Sequence, residues 1–264
     1  MKRIVLVSAA VLGLWAWALP QGLTADEILD RVEEKTFIGV ETGSMLATIS
    51  LAVTAEGETT GYTFKVFFQE GEGEEPDKAL VVYLEPELVS GTMFLTWTPE
   101  EGDARMWLYL PDLGIVKELV GQSREQEFVS GSGISYEDLA QGFKYREDYK
   151  AELVGEEVVD GLPAYLIVLT PKEGAEADYS QVKLWVEKEY FNVIKMESYL
   201  DGELVSTMRA SELSDDGLGY IPHRFEFQDL DEGTSSVLDL LERVRAEVPA
   251  DYFDPGKLPS LEVM

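Results

Sequence analysis

No cysteine occurs among the 264 residues, and there is a single histidine, His223. Without a thiol there is no disulfide, no thiolate nucleophile and no lipobox cysteine to acylate. The chain is therefore not itself a lipoprotein, and its core must hold the fold together. One imidazole excludes a His-rich zinc centre and leaves Ser-His-Asp chemistry a single base. That base lies in Ile221-Pro222-His223-Arg224-Phe225, on the face of Phe225, where a core or rim residue is expected. Basic residues are scarce as well. The 21 Lys and Arg face 51 Asp and Glu, giving a formal net charge of −30. Nucleic acid and anionic membrane surfaces, which need clustered Lys and Arg, are not expected as partners. Gly131-Ser132-Gly133 lacks the third glycine and following Lys-Ser/Thr of a phosphate loop, so nucleotide binding is not expected either. The residues imply no cofactor and no metal. A glycosidase needs two carboxylates about 5–10 Å apart in a cleft. No spacing here singles out such a pair, so no catalytic residue is assigned and an enzyme is not expected.

The N-terminus reads as an export signal over residues 1–18. Lys2 and Arg3 supply the positive start, Ile4 to Leu14 the apolar core, and Ala16-Trp17-Ala18 a small-x-small site with cleavage after Ala18. A retained membrane anchor is the rival reading, but the apolar run is short and Pro20-Gln21-Gly22 interrupts it. Cleavage leaves about 246 residues with a net charge near −32, since Lys2 and Arg3 depart from a chain of −30. That is enough chain for one large β domain or two small ones. The acids are spread through turns and polar strand faces, as in Glu70-Gly71-Glu72-Gly73-Glu74-Glu75. A solvated surface explains them; a docking site for a basic partner is the sharper alternative.

Between the termini the chain alternates with period two. Met45, Ala47, Ile49, Leu51 and Val53 share one face, as do Tyr62, Phe64, Val66 and Phe68, and then Met93, Leu95 and Trp97. Later strands are marked by Tyr165-Ile167-Leu169, Val182-Leu184-Val186, Ile194-Met196 and Ile221-His223-Phe225-Phe227. Apolar runs at Ala79 to Leu84 and Met106 to Leu110 are two-sided. Asp201-Gly202 is a tight hairpin signal. Roughly ten strands joined by short turns form an antiparallel meander, which must curl into a barrel or split into a sandwich. Val237, Leu238, Leu240, Leu241 and Val244 fit a helix by periodicity, yet the segment follows a strand and a Gly233-Thr234 turn, so helix and strand both stay open here. Two helices carry capping boxes: Thr24-Ala25-Asp26-Glu27 before Ile28, Leu29 and Val32, and Ser135-Tyr136-Glu137-Asp138 before Leu139 and Phe143. Both are short and one-sided, so each must lie on something else.

A curled sheet carrying Phe64, Phe68, Met93, Leu95 and Trp97 overfills a small barrel or lines a cavity. Ile49, Leu51, Val66, Leu139, Phe143, Leu184 and Met196 complete the expected apolar lining. Burial of one acyl chain of roughly 16 carbons grosses ~12 kcal/mol at ~0.8 kcal/mol per methylene, before entropy is subtracted. Such a site needs no polar recognition code.

Gly91-Thr92, Met106-Trp107-Leu108-Tyr109-Leu110-Pro111, Arg124, Phe128, and Gly131-Ser132 through Ser135-Tyr136-Glu137-Asp138-Leu139 resemble the outer-membrane lipoprotein-sorting proteins of the LolA-like superfamily. The likeness runs from Leu23-Thr24-Ala25-Asp26-Glu27-Ile28-Leu29 to Val248-Pro249, Tyr252-Phe253 and Leu258. The resemblance implies a mainly β protein: a single large antiparallel sheet, residues 19–264, curled into an incomplete barrel around a plug of short α-helices. It makes Val237 to Val244 a strand and Ser135 to Phe143 part of a lid. It also implies a monomeric periplasmic carrier of acylated lipoprotein or lipid cargo. Such a carrier takes cargo from an inner-membrane ABC or other exporter and passes it to an outer-membrane acceptor. Related folds serve instead as periplasmic sensors that bind a protein.

Overall fold

The alternation in the sequence becomes one sheet. In the computed structural model, which describes residues 22–33, 43–100, 102–141, 145–175 and 177–262, strands β1 (Ser44–Ala55), β2 (Glu58–Gln69), β3 (Asp77–Glu85), β4 (Met93–Thr98), β5 (Arg105–Leu110) and β6 (Ile115–Leu119) follow helix α1 (Ala25–Glu33). Helices α2 (Tyr136–Gln141) and α3 (Tyr145–Asp148) come next. They lead into β7 (Tyr149–Val159), β8 (Leu162–Pro171), β9 (Gln181–Glu187), β10 (Val193–Leu200) and β11 (Glu203–Ser211). A small hairpin of β12 (Ser214–Asp215) and β13 (Tyr220–Ile221) precedes β14 (Arg224–Asp229) and β15 (Thr234–Arg245). Thirteen strands pair antiparallel in the order β6-β5-β4-β3-β2-β1-β15-β14-β11-β10-β9-β8-β7, and the two ends do not meet. The sheet is the expected incomplete barrel; residues 1–21, where an export signal is expected, and residues 34–42 lie outside the described residues.

Turn chemistry sets the register. Glu56-Gly57, Asp160-Gly161 and Asp201-Gly202 each place two residues at positive φ, the geometry of the two-residue turn that matches strand twist. With β1 and β2 in register, Ile49 faces Phe64 and Ala47 faces Val66, all four on the inner side.

Both faces of the β2–β5 region are covered, which explains the two-sided runs. Inside, Tyr136 of α2 packs on Phe94 with rings 4.9 Å apart, and Phe128 packs on Phe64 at 5.4 Å. Outside, the C-terminal segment lays Phe253 and Leu258 on Phe67, Leu80, Val82, Met93, Leu95 and Trp107. Trp97 Nε1 donates to the Phe253 carbonyl at 2.9 Å and fixes this strap. Helix α1 plugs the other half of the inner face, where Ile28 and Leu29 join Ile167, Leu169 and Leu184. Its capping box forms as expected: Glu27 N–H donates to Thr24 Oγ1 at 3.2 Å, and Thr24 N–H to Glu27 Oε2 at 2.8 Å.

Val237 to Val244 is strand, within β15, and its helix-like spacing has a physical cause. The register slips by one residue against β1 between Thr48 and Ile49, so Leu240 opposes Ile49 while Glu242 opposes Thr48. A bulge of this kind inserts one residue, Leu241, which is 60% exposed. Leu238, Leu240 and Arg243 then all turn inward at spacings of two and three. The Arg243 side chain is fully buried and forks onto Asp216, with Nε to Oδ2 at 2.7 Å and Nη2 to Oδ1 at 2.6 Å. This pair ties the β12–β13 hairpin to the sheet.

Burial of the Asp216 carboxyl opposes ionisation, but the Arg243 hydrogen bonds outweigh it and hold the group below its usual range. A depressed carboxyl contributes stability above its ordinary pKa, and that stability is lost as pH falls through the depressed value. Asp216→Ala is expected to lower the unfolding free energy by about 3–5 kcal/mol at neutral pH, because it strands a buried guanidinium. In urea melts the gap to wild type should narrow on acidification below about pH 4; an unchanged gap contradicts this assignment.

Candidate functional site

A cleft of about 500 Å³ opens on the inner face between the two plugs. Its floor follows from the register. One row across the strands is bulky: Leu184, Met196, Met208 and Phe227 stand side by side on β9, β10, β11 and β14. The next row is small or short: Val182, Ser198, Ser206, Asp229 and Thr234. Serines at inward positions of otherwise apolar strands remove volume that a leucine would fill, and this leaves the hollow. The volume falls within the ~300–1,000 Å³ usual for small-molecule sites.

One wall is the segment from Arg124 to Asp138, and its motif residues hold it. The Glu127 carboxylate accepts from Gly131 N–H at 2.6 Å and Gly133 N–H at 2.7 Å. Tyr83 Oη donates to the Phe128 carbonyl at 2.9 Å, and Ser236 Oγ to the Ser132 carbonyl at 2.6 Å. Arg124 grips Glu137 in a fork at 2.5 and 2.7 Å, which anchors α2. Ser135 and Asp138 form the second capping box, with Asp138 N–H donating to Ser135 Oγ at 3.0 Å. The Gly-Ser-Gly motif thus clamps a loop onto the sheet. Gly131 has φ +78, and a Cβ there would lie 3.2 Å from Val53 Cγ1.

The opposite wall carries Tyr145, Tyr149 and Tyr179. Tyr145 Oη donates to Met196 Sδ at 3.4 Å, and Tyr179 N–H donates to the Tyr149 hydroxyl at 3.1 Å. Burial raises all three phenols above their ordinary range and keeps them neutral. The Asp138 carboxyl is also raised, first by burial, against its hydrogen bonds from Ser135, with Glu137 and Asp178 adding like-charge repulsion. Seven carboxylate residues line the cleft and no Lys, Arg or His does, among the described residues. His223 lies outside it, with Nε2 buried and unpartnered. No group of three or more His, Asp or Glu among the described residues is placed to hold a metal.

The residues expected to line a cavity fall into three sets. Ile49, Leu51, Phe64, Val66 and Phe68, with Leu139 against them, form one inner cluster; Leu184 belongs to a second, and Met196 touches both. Met93, Leu95 and Trp97 are on the other face, under the C-terminal strap, and Phe94 takes the inward place in β4. The expectation that these three share a face with Phe64 is corrected by the β3–β4 register, in which Val81, not Val82, opposes Phe94. Phe143 lies outside the described residues. Of the whole set only Met196 lines the cleft. Val182, Ser198, Ser206, Phe227 and the three tyrosines were not singled out as lining, although inward-phase serines marked the place.

A family model described as that of an uncharacterized protein matches residues 75–260. Three crystal structures share the architecture. A DUF1329 family protein from Desulfovibrio piger is 25% identical with a TM-score of 0.73, over 89% of this chain and 95% of that one. A domain ascribed to outer-membrane lipoprotein sorting from Vibrio parahaemolyticus is 23% identical with a TM-score of 0.73, over 89% and 96%. A LolA superfamily protein from Nitrosomonas europaea is 24% identical with a TM-score of 0.63, over 88% and 98%. No curated protein matches the sequence.

The clamp predicts a contrast between two glycines. Gly57 has φ +83 with open space around it, so Gly57→Ala should cost about 1 kcal/mol, the strain of the left-handed conformation alone. Gly131→Ala adds a collision with buried Val53 and should cost at least about 2 kcal/mol. Equal costs in chemical denaturation would show that the loop is not pressed onto β1.

Proposed function

We propose that this chain, which belongs to the family of uncharacterized proteins matched over residues 75–260 and has a LolA-like fold, is an exported carrier of acyl chains. It holds the lipid part of a lipoprotein, or a similar lipid, in the cleft and transfers it between membranes. The reading includes a signal peptide over residues 1–18, a single domain over 19–264 and a monomer in the periplasm. An inner-membrane exporter and an outer-membrane acceptor are its donor and recipient.

The observation that carries this reading is the hollow itself. An open sheet is stoppered at two places, and between them a row of small residues leaves about 500 Å³ beside Val182, Met196 and Phe227. Val182, Met196 and Phe227 offer an alkyl chain an apolar strip to lie against, while the carboxylates and hydroxyls of the lining are left to its polar end. The fold shared with a lipoprotein-sorting domain and a LolA superfamily protein supports the same reading. No bond is made or broken. Cargo enters between the Arg124–Asp138 wall and the tyrosine wall, and leaves for a site that buries more of it.

Purified protein should bind a fluorescent monoacylglycerol, a neutral probe with one acyl chain. Ser206→Trp, which fills the floor, should weaken that binding at least about tenfold while leaving the circular dichroism unchanged. Leu95→Ala, on the outer face, should cost about 2–5 kcal/mol of stability and leave the affinity of the folded protein unaltered. No binding by the wild type, or equal binding by Ser206→Trp, contradicts the proposal.

A further inference from the structure

We infer that the cargo's polar end carries an ammonium group: the cleft is a site for a cationic amphiphile, an inference that rests on the acyl-carrier reading above. Among the described residues the cleft lining is acidic and carries no basic side chain. Glu127, Glu137, Asp138 and Asp229 are engaged with the protein's own donors, at Gly131 and Gly133, Arg124, Ser135, and Asp231 with Glu232. Glu125, Asp148 and Asp178 remain at the cleft with no basic side chain among the lining residues. A phosphate or carboxylate head would be repelled by this wall, and an uncharged head would gain no coulombic attraction from it.

A second observation points to an occupant. Ser198 is 0% exposed, it lines the floor, and its Oγ has no hydrogen-bond partner. Buried hydroxyls in folded proteins are almost always satisfied, so an orphan at the floor of a cleft is a place where a water or a polar atom of a ligand completes the bonding. Its neighbours fit an ammonium. Ser206 stands opposite it, and Tyr179, held neutral, lines the cleft with an aromatic ring, a group of the kind that attracts cations. Glu137 and Asp178 already repel the charge of Asp138, and an entering cation relieves that repulsion. The alkyl part then runs along Val182, Met196 and Phe227.

The same chemistry has two sources, a free aminolipid and a lysine beside the acylated end of a polypeptide. The test is displacement of the neutral monoacylglycerol probe by decylammonium, decanol and decanoate below their micelle concentrations. Decylammonium should bind at least about tenfold tighter than decanol, with decanoate weakest, and the advantage should shrink between about 20 mM and about 500 mM salt. In Asp148→Asn/Asp178→Asn the preference for decylammonium over decanol should fall below about threefold. Ser198→Ala should weaken decylammonium by about threefold or more. An N-acylated lysine tripeptide that outcompetes both decylammonium and its serine counterpart assigns the charge to a polypeptide; the reverse order assigns it to an aminolipid, and both support the inference. Equal affinity of the probe-binding protein for decylammonium and decanol, or preference for decanoate, overturns the inference and leaves the carrier reading standing. Failure of the protein to bind the neutral probe at all removes both.

Discussion

An antiparallel sheet that curls without closing has an inner face that its own strands do not cover. Every apolar side chain on that face needs a partner from elsewhere in the chain, because exposed apolar surface of that size costs too much. Two plugs meet the need. Helix α1 brings Ile28 and Leu29 to the β7–β9 side, and the segment through Phe128, Ile134 and Tyr136 covers the β1–β5 side. Over β10, β11 and β14 the row of Ser198, Ser206 and Asp229 lines the cleft between the plugs. The sheet there is lined with small and polar groups, so the gap stays open without stranding a bulky side chain.

The motif residues keep the gap from collapsing. Glu127 holds two glycine N–H groups, Tyr83 and Ser236 fix the loop carbonyls, and Arg124 ties the loop to α2 through Glu137. Each bond is worth little alone, about 0.5–1.5 kcal/mol net for neutral partners. Together they set the loop at one height above the sheet. A wall held by these bonds on one side faces a wall of neutral phenols on the other.

Much of the architecture is legible in the residues. The alternation at Met45 to Val53 and Tyr62 to Phe68 gives β1 and β2 with their inward faces, and both capping boxes form at Thr24 and Ser135. Strands β6 and β7 are harder to see because each is an edge with polar residues on both sides, the pattern that keeps edges from pairing with other chains. At β4 the alternation of Met93, Leu95 and Trp97 is real but points outward. When both faces are covered, the pattern identifies a strand without saying which face is inner, and the covering strap begins about 150 residues later in sequence. In β15 a single bulge turns a two-residue period into a helix-like one. The cleft was least legible. Apolar periodicity marks where a core is filled, whereas a hollow is marked by Ser198 and Ser206 interrupting it.

The central claim is that the small row on β10, β11 and β14 receives an alkyl chain. Crystals soaked with a monoacylglycerol brominated along its chain test it directly through anomalous scattering. The account predicts bromine peaks over Ser198 and Ser206, between Tyr145 and Phe227. Bromine on the outer face near Leu95, or none in the cleft at a concentration that saturates the protein in solution, would contradict it.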